Sequence, residues 1–207
     1  MHDRSYKNPM HELSVAKRQA PLRARYAQHP AAATIVKRAR TEPADGRDPY
    51  HGTVAAENAA DPGKPYGVVW RYGVDEAIGG LHDAPNPGEL LCAALAACAD
   101  ASVRMIADLL RVQLDEVEVE VTGELDVRGT LDVDRSVAVG FQHLALAVRV
   151  HAAPETPHGR IDRLAVAAER ACVVLDTLRR GVPVDVTFDT APVGTGRSRD
   201  HEEARSA

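Results

Sequence analysis

The chain has 207 residues, of which 44% are hydrophobic and 27% are charged, a balance typical of folded globular proteins and not of disordered or fibrous ones. This length allows one ordinary domain, with or without an appendage. Aromatic residues make up only 4% of the chain, so its core must be built from Ala, Val and Leu, and burial of further surface in an oligomer would help to stabilise it.

The formal net charge of −5 is unevenly distributed. Residues 1–47 carry ten Lys or Arg and four Asp or Glu, a charge of +6, whereas the remainder carries −11. The basic segment has neither a recognisable nucleic-acid motif nor interleaved aromatic side chains. We therefore expect it to pack against the acidic remainder, in its own or a partner chain, and expect no nucleic-acid partner.

The sequence favours a cytoplasmic protein with no membrane partner. No uncharged apolar run approaches the ~18 residues that a transmembrane helix needs, because the run Leu90–Ala99 ends at Asp100. The N-terminus lacks the apolar segment of a signal peptide, and three cysteines are an odd number for an extracellular disulfide scaffold. In a reducing cytoplasm, a cysteine pair is more often catalytic than structural.

The first predicted elements are short. Lys17–Pro30 reads as a basic helix that ends before its proline, and residues 33–42 have strand character. Thr41–Gly52 is dense in turn-forming residues and predicts a loop. The stretches GTVAAE, YGVVWRYG and EAIGG predict strands, and the turn NAADPGKP joins the first two.

Longer elements follow. Asn86, Pro87 and Glu89 form the start of a helix that continues to about Leu110, with Asn86 as the cap and Glu89 able to close a capping box. Apolar and polar residues alternate in Val117–Gly129 and in Gln142–Ala152, which predicts strands with one solvent-exposed face. The last predicted elements are a second long helix, Gly159–Arg180, and a short strand, Val182–Phe188.

The element order predicts an α+β fold with an antiparallel sheet and not a repeated βαβ arrangement. We expect a basic N-terminal arm at residues 1–48, a folded domain at residues 49–190 and a disordered tail at residues 191–207.

The three cysteines, Cys92, Cys98 and Cys172, are the first candidates for chemistry. Their spacing contains no pair suited to zinc, so we expect no metal. Cys92 and Cys98 lie about 240° apart in azimuth and ~9 Å apart along one helix, too far for a disulfide, so a redox pair would need Cys172. Burial as ordinary core residues is the alternative interpretation.

A reactive thiol needs a nearby cation. Glu169 and Asp176 share a helix face with Cys172 and would disfavour a thiolate there, so Cys98 is the candidate nucleophile and Cys172 the resolving thiol. Arg71 is the candidate activating cation because it lies mid-strand among apolar residues, where a charge needs a partner. Arg47 is a second choice, and a solvent-facing Arg71 is the alternative.

These residues and their order resemble the OsmC/Ohr family of thiol-dependent peroxidases. The resemblance rests on NPGELLCAALAAC in the first long helix, AERACVVL in the second and PYGVVWRY before them, and it covers roughly Gly52 to Phe188. The N-terminal segment AKRQAPLRARY is similar to that of a longer-armed branch of OsmC-like proteins.

The resemblance implies an intertwined homodimer in which two long central helices of each chain pack against antiparallel sheets and the active sites are shared between subunits. It implies Cys98 as the peroxidatic cysteine, Cys172 as the resolving cysteine and Arg71 as the activating arginine. The implied substrate is an organic hydroperoxide, the implied reductant is an external dithiol, and no cofactor is required.

One position departs from the family pattern. The resemblance implies a glutamate that pairs with the arginine near the start of the first long helix, and Gly88 occupies that position. Glu89 follows, but one residue along a helix is a turn of about 100°, and Glu89 has a role in the capping box. The alternative function is therefore a catalytically divergent OsmC-like protein that binds a small molecule or senses redox state.

Overall fold

The computed structural model describes residues 14–42 and 46–188. The predicted disordered tail, residues 191–207, lies outside the described residues. The first element is helix α1, Val15–Gln28, followed by a 3₁₀ turn at Pro30–Ala33. This confirms the predicted basic helix, none of whose residues is buried.

Helix α1 is held against the second helix, α2 (Pro87–Leu110). The backbone N–H of Val15 donates to Oδ2 of Asp108 at 2.8 Å, and the Gln19 amide donates to the sulfur of Met105 at 3.2 Å. An acidic side chain at the first turn of a helix complements the positive end of its dipole. The N-terminal segment therefore contacts α2 within the same chain, through a backbone N–H and a neutral side-chain amide and not through a basic side chain, so its charge-driven packing stays a prediction.

Three short antiparallel strands form the first sheet: β1 (Arg38–Thr41), β2 (Gly52–Glu57) and β3 (Trp70–Tyr72), in that order. Arg71 of β3 stands opposite Thr53 of β2. The prediction of a strand at EAIGG is wrong, because Glu76–Ile78 forms a 3₁₀ turn. The Asp75 side chain caps it by accepting from the Ala77 N–H at 2.8 Å, and Gly79 ends it at a φ of 87°, which favours glycine.

Helix α2 begins with the predicted capping box. The Asn86 side chain accepts from the Glu89 N–H at 3.0 Å, and the Glu89 carboxylate accepts from the Asn86 N–H at 2.8 Å. By length and composition alone α2 could also cross a membrane, with a mean hydropathy of 1.7 over 18 residues. It packs on both a sheet and a helix of its own chain, which is the arrangement of a central core helix.

The second sheet pairs β4 (Leu114–Glu124) with β5 (His143–Ala152), antiparallel, and a short helix α3 (Val127–Thr130) lies in the connection. Strand β4 ends earlier than predicted because Asp126 caps α3 by accepting from the Arg128 N–H. One face of the sheet carries apolar pairs such as Val117 with Val150, and the other carries ion pairs such as Glu118 with Arg149 at 2.8 Å.

The second long helix was predicted as one element and is two, α4 (His158–Ala171) and α5 (Val173–Arg180). The break is Cys172, whose backbone is extended, with φ −77° and ψ 102°. Two β-branched residues, Val173 and Val174, follow it, and such residues favour helix less than most. The structure thus has one long central helix where the resemblance implied two.

The strand predicted at Val182–Phe188 is also not formed within this chain. In the described part of the molecule the segment has no ladder partner, and its apolar side chains are exposed, Phe188 by 84%.

Two neighbouring clusters make up the core, and both rest on α2. The first joins α2 to α4 around Val103, Ala107 and Leu164. The second joins α2 to α5 around Leu95, Ala99, Cys172 and Leu175, with Cys98 packed against it. The small side chains of α2 allow this close approach, and they place two of the three cysteines together in the second cluster.

Candidate functional site

Cys98 and Cys172 meet where α2 crosses the break between α4 and α5. The extended backbone at Cys172 leaves the N–H of Val174 without its helical acceptor, and that N–H donates to Sγ of Cys98 at 3.5 Å. Both cysteines are free thiols. Cys172 is buried at 1% exposure, whereas Cys98 is only partly buried. Of the two, Cys98 is the one that solvent or a small substrate reaches more readily.

The environment of Cys172 disfavours a thiolate. Burial raises the pKa of the Cys172 thiol, and the neighbouring Cys98 thiol raises it further, against backbone N–H groups of Leu175 and Val174 that lower it. Glu169 and Asp176 were expected to act in the same direction as burial. Their carboxylates are instead paired, with Arg179 at 2.6 Å and Arg180 at 2.8 Å.

A cavity of about 570 Å³ lies beside Cys172, between β5 and helices α2, α4 and α5. Cys172 forms part of its wall, and most of the other lining side chains are apolar: Leu95, Val103, Phe141, Leu146, Leu164 and Leu175. A cavity of this size and polarity suits a small apolar ligand. Glu169 and Arg179 supply the charged part of its lining.

Arg71 lies in a separate charged cluster on the first sheet. Its guanidinium donates to Oδ2 of Asp83 at 3.0 Å. The other oxygen of Asp83 is 2.8 Å from Nε2 of His51, and Nδ1 of His51 is 2.8 Å from Asp48. His51 and Arg71, by their hydrogen bonds and charge, hold the pKa of Asp83 down to about 2. The two carboxylates raise the pKa of His51, Asp83 more than Asp48.

The structure brings together two of the three predicted site residues. Among the described residues of this single chain, Arg71 forms no hydrogen bond with either thiol, and its side chain is half exposed. The role of Arg71 as the activating cation therefore stays a prediction, and so do the roles of Cys98 and Cys172. Arg104, on the same helix as Cys98, pairs with Asp100 one turn away at 2.9 Å.

Gly88 and Glu89, at the start of α2, have different structural roles. Glu89 is committed to the capping box. At Gly88 a Cβ would lie 3.2 Å from the Phe141 ring and 3.1 Å from Oδ1 of Asn86, so the absence of a side chain lets the ring pack close. Cys92 lies one turn further on, in the wall of a second cavity of about 900 Å³, apart from the other two thiols.

Three groups in the surroundings of the predicted site residues were not predicted: Asp83, His51 and the N–H of Val174. Asp83 and His51 are loop residues 12 and 20 positions from Arg71, a separation that no helix or strand periodicity marks. The Val173–Val174 pair after Cys172 was the one available signal for the helix break. Within residues 14–42 and 46–188, no three His, Cys, Asp or Glu side chains are grouped to hold a metal. A cofactor-free site stays a prediction.

Comparison with known proteins identifies the family. The family model of OsmC-like proteins matches residues 80–187. No curated protein matches the chain. An OsmC-like protein from Vibrio cholerae aligns with a TM-score of 0.54 at 11% identity, covering 70% of this chain and 94% of its own. An OsmC-like protein from Mycoplasma pneumoniae aligns with a TM-score of 0.53 at 13% identity, covering 71% and 89%.

An organic hydroperoxide resistance protein OsmC from Legionella pneumophila aligns with a TM-score of 0.46 at 19% identity, covering 72% of this chain and 92% of its own. At such identities the structural likeness concerns the fold alone. The family match covers more than half of the chain and includes both Cys98 and Cys172. The chain therefore belongs to the OsmC-like family, as its cysteine helices predicted.

Proposed function

We propose that this protein is a thiol-dependent organic hydroperoxide reductase in which Cys98 is the peroxidatic cysteine and Cys172 the resolving cysteine. The observation that carries the proposal is the meeting of two free thiols at a helix break, where Cys172 forms part of the wall of an apolar cavity. Their unequal burial supports these roles. The partly exposed Cys98 attacks the substrate, and the buried Cys172 reacts afterwards from within the protein.

In the first step the Cys98 thiolate attacks the distal oxygen of the hydroperoxide. The O–O bond breaks, the alkoxide takes a proton and leaves as an alcohol, and Cys98 becomes a sulfenic acid. The N–H of Val174, aimed at the sulfur, favours negative charge there. Arg71 is the proposed cation that stabilises the thiolate, supplied in the assembled protein.

In the second step the Cys172 thiol condenses with the sulfenic acid, forming a disulfide and releasing water. An external dithiol then reduces the disulfide by thiol–disulfide exchange. The apolar cavity favours a substrate with an organic substituent over hydrogen peroxide. The reaction needs no metal or organic cofactor, and its dependence on a free dithiol fits a cytoplasmic protein that counters oxidative stress.

A second copy of the chain completes this proposal as a homodimer with shared active sites. The first and second sheets are not hydrogen-bonded to each other within the described part of the chain, and the segment Val182–Phe188 presents its apolar side chains to solvent. Both features leave strand edges and apolar surface that association would cover.

Turnover of cumene hydroperoxide by the purified protein, with dithiothreitol as reductant, tests the proposal. The Cys98→Ser variant should lose turnover to the background rate. Cys92→Ser is the matched control, because Cys92 lies on the same helix but away from Cys172, and it should keep wild-type turnover. Undiminished turnover in Cys98→Ser would refute the assignment.

A second candidate function is a divergent member that binds a small molecule or senses redox state. Two observations favour it: Gly88 offers no carboxylate, and among residues 14–42 and 46–188 the hydrogen-bond partner of the Arg71 side chain is Asp83. Such a protein would form the Cys98–Cys172 disulfide under oxidant yet reduce hydroperoxide far more slowly than the rates of ordinary enzymes, roughly 1 s⁻¹ or more. Wild-type turnover above that rate excludes this alternative.

A further inference from the structure

Arg71 is tied to the connection that joins its own strand to the cysteine helix. β3 ends at Tyr72 and α2 begins at Pro87, so the segment 73–86 is the link between the arginine and the thiols. Backbone bonds fold this link onto itself: the Gly73 N–H donates to the Pro85 carbonyl at 3.0 Å, and the His82 N–H donates to the Val74 carbonyl at 3.1 Å. Asp83 is part of the link.

The link is also fastened to the start of α2. The Asn86 amide donates to Oδ2 of Asp75 at 3.0 Å, while Asp75 caps the 3₁₀ turn through its other oxygen. A displacement of the link would therefore disturb the hydrogen bonds at the first turn of α2. The carboxylate that Arg71 contacts is in this way connected, through a short and internally bonded segment, to the helix that carries Cys98.

His51 fixes Asp83 from the other side. Its two ring nitrogens each lie 2.8 Å from a carboxylate oxygen, one of Asp83 and one of Asp48. A carboxylate only accepts hydrogen bonds, so both nitrogens donate, and the ring that makes both bonds is the imidazolium. Its side chain is only 17% exposed. Asp48 is fixed in turn by accepting from the Tyr50 N–H at 2.8 Å.

Both carboxylate oxygens of Asp83 are hydrogen-bonded. One oxygen accepts from Arg71 and the other from His51, so the carboxylate cannot rotate without losing a charge-assisted bond. Gly88 has no side chain, and the carboxylate of Glu89 is occupied by the capping box. In the described part of the chain, Asp83 is accordingly the carboxylate that pairs with Arg71.

We infer that Asp83 and His51 are positioning residues for the reaction, holding the Arg71 guanidinium in the orientation in which it stabilises the Cys98 thiolate. This rests on the proposed function, because it gives Arg71 a task at Cys98. Neither residue touches the substrate. Both act through Arg71, so their effects should disappear when Arg71 is removed.

The experiment measures Cys98 reactivity directly. In a Cys92→Ser/Cys172→Ser background Cys98 is the one remaining thiol, since the chain has three cysteines. The rate of its alkylation by iodoacetamide is followed from pH 5 to pH 9, which needs no peroxidase turnover. Asp83→Asn keeps the shape of the side chain and removes its charge. We expect it to slow alkylation at neutral pH by about tenfold.

Two controls separate positioning from general loss of structure. Asp132→Asn removes another exposed Asp–Arg pair, with Arg135 at 2.7 Å, and should leave alkylation unchanged. In an Arg71→Met background, Asp83→Asn should have no further effect. Asp83→Asn that slows alkylation equally with and without Arg71 would overturn the inference, and so would an Arg71→Met variant that alkylates like its parent.

His51→Gln supplies a readout in pH. The charged groups that face His51 are Asp48, Asp83 and Arg71. Replacement by Gln should slow Cys98 alkylation by about threefold at pH 6, where the imidazolium is present, and should have no effect at pH 9. An equal effect at both pH values would contradict the positioning role of the charged ring.

Failure of this inference differs from failure of the proposed function. If wild-type protein reduces cumene hydroperoxide and Asp83→Asn changes neither alkylation nor turnover, the peroxidase proposal stands and the positioning role falls. If wild-type protein does not reduce hydroperoxide but alkylation depends on Asp83 only when Arg71 is present, the positioning role stands without the enzyme.

Discussion

At the scale of single residues, the difference between the two thiols comes from one backbone conformation. Cys172 leaves the helical conformation, which turns its side chain into the core and frees the Val174 N–H for Cys98. A continuous helix would keep that N–H in an i to i−4 bond. The contact between the Val174 N–H and Cys98 is thus made by the interruption of a helix, and the helical periodicity of the sequence does not reveal it.

Cys172→Ser should separate the two chemical steps. After one equivalent of cumene hydroperoxide, the wild-type protein should lose two of its three free thiols, as counted with a thiol-reactive chromophore under denaturing conditions. Cys172→Ser should instead hold a sulfenic acid at Cys98, detected by mass spectrometry as a dimedone adduct. A dimedone adduct on Cys92 and none on Cys98 would contradict the assignment of the nucleophile.

At the scale of elements, the parts that could be predicted are those whose causes are local. The Asn86–Glu89 capping box and the alternation of β4 and β5 are written in spacings of three and two residues, and both were found. The break at Cys172 and the 3₁₀ turn after Asp75 were not predicted, because their local signals are weak: the Val173–Val174 pair only lowers helix propensity, and the Asp75 cap and Gly79 enclose a turn of three residues. The surrounding pattern suggested a continuous helix and a strand.

The candidate site divides in the same way. Cys98 and Cys172 were predictable as a pair because two Ala-rich helices can approach closely. The Asp83–His51 partners of Arg71 were not, because they come from two loops whose contact is made only by the folded chain. Loop residues that meet across a fold carry no periodic signal, although function is concentrated in such loops.

Helix α4 is the element whose packing supports the site, because it leads directly into Cys172. Leu164 is buried at 1% exposure in contact with α2, whereas Val166 on the same helix is 70% exposed. Leu164→Ala should lower the free energy of unfolding by about 2–5 kcal/mol, from lost burial and the cavity it leaves. Val166→Ala should change it by less than ~0.5 kcal/mol.

Urea denaturation followed by circular dichroism measures both variants. Equal midpoints for the two would show that α4 is not packed on α2 as described. A large loss of stability in Leu164→Ala together with weakened disulfide formation between Cys98 and Cys172 would show that the core holds the thiols together as well as the fold.

At the scale of the whole molecule, the Asp48–His51–Asp83 cluster makes stability depend on pH. The pKa of His51 is raised, so its contribution is complete below the unfolded value of about 6.5 and is lost as pH rises through the folded value. The pKa of Asp83 is lowered to about 2, so its contribution is present above about pH 4 and is lost as pH falls toward 2.

Both contributions are therefore present together between about pH 4 and 6.5. We expect the difference in Tm between wild-type protein and His51→Gln to be largest near pH 5–6 and to shrink toward pH 9. His143→Gln, an exposed histidine on β5, is the control and should show no such trend. A constant difference across the range would mean that His51 acts through packing and not through its charge.

The exposed apolar segment Val182–Phe188 is the surface through which we expect the protein to assemble. Val182, Val184, Val186 and Phe188 occupy every second position, the pattern of a strand with one buried face, yet all four are at least 59% exposed in the single chain. We propose that a second copy of the chain covers this surface.

Val186→Asp should shift the mass measured by light scattering toward that of one chain, 22.2 kDa, and should lower cumene hydroperoxide turnover with it, because the proposed sites are shared. Val139→Asp, which places the same charge at a valine exposed to a similar degree in the loop before β5, should leave mass and turnover unchanged. A wild-type protein of one-chain mass that retains full turnover would contradict the shared site.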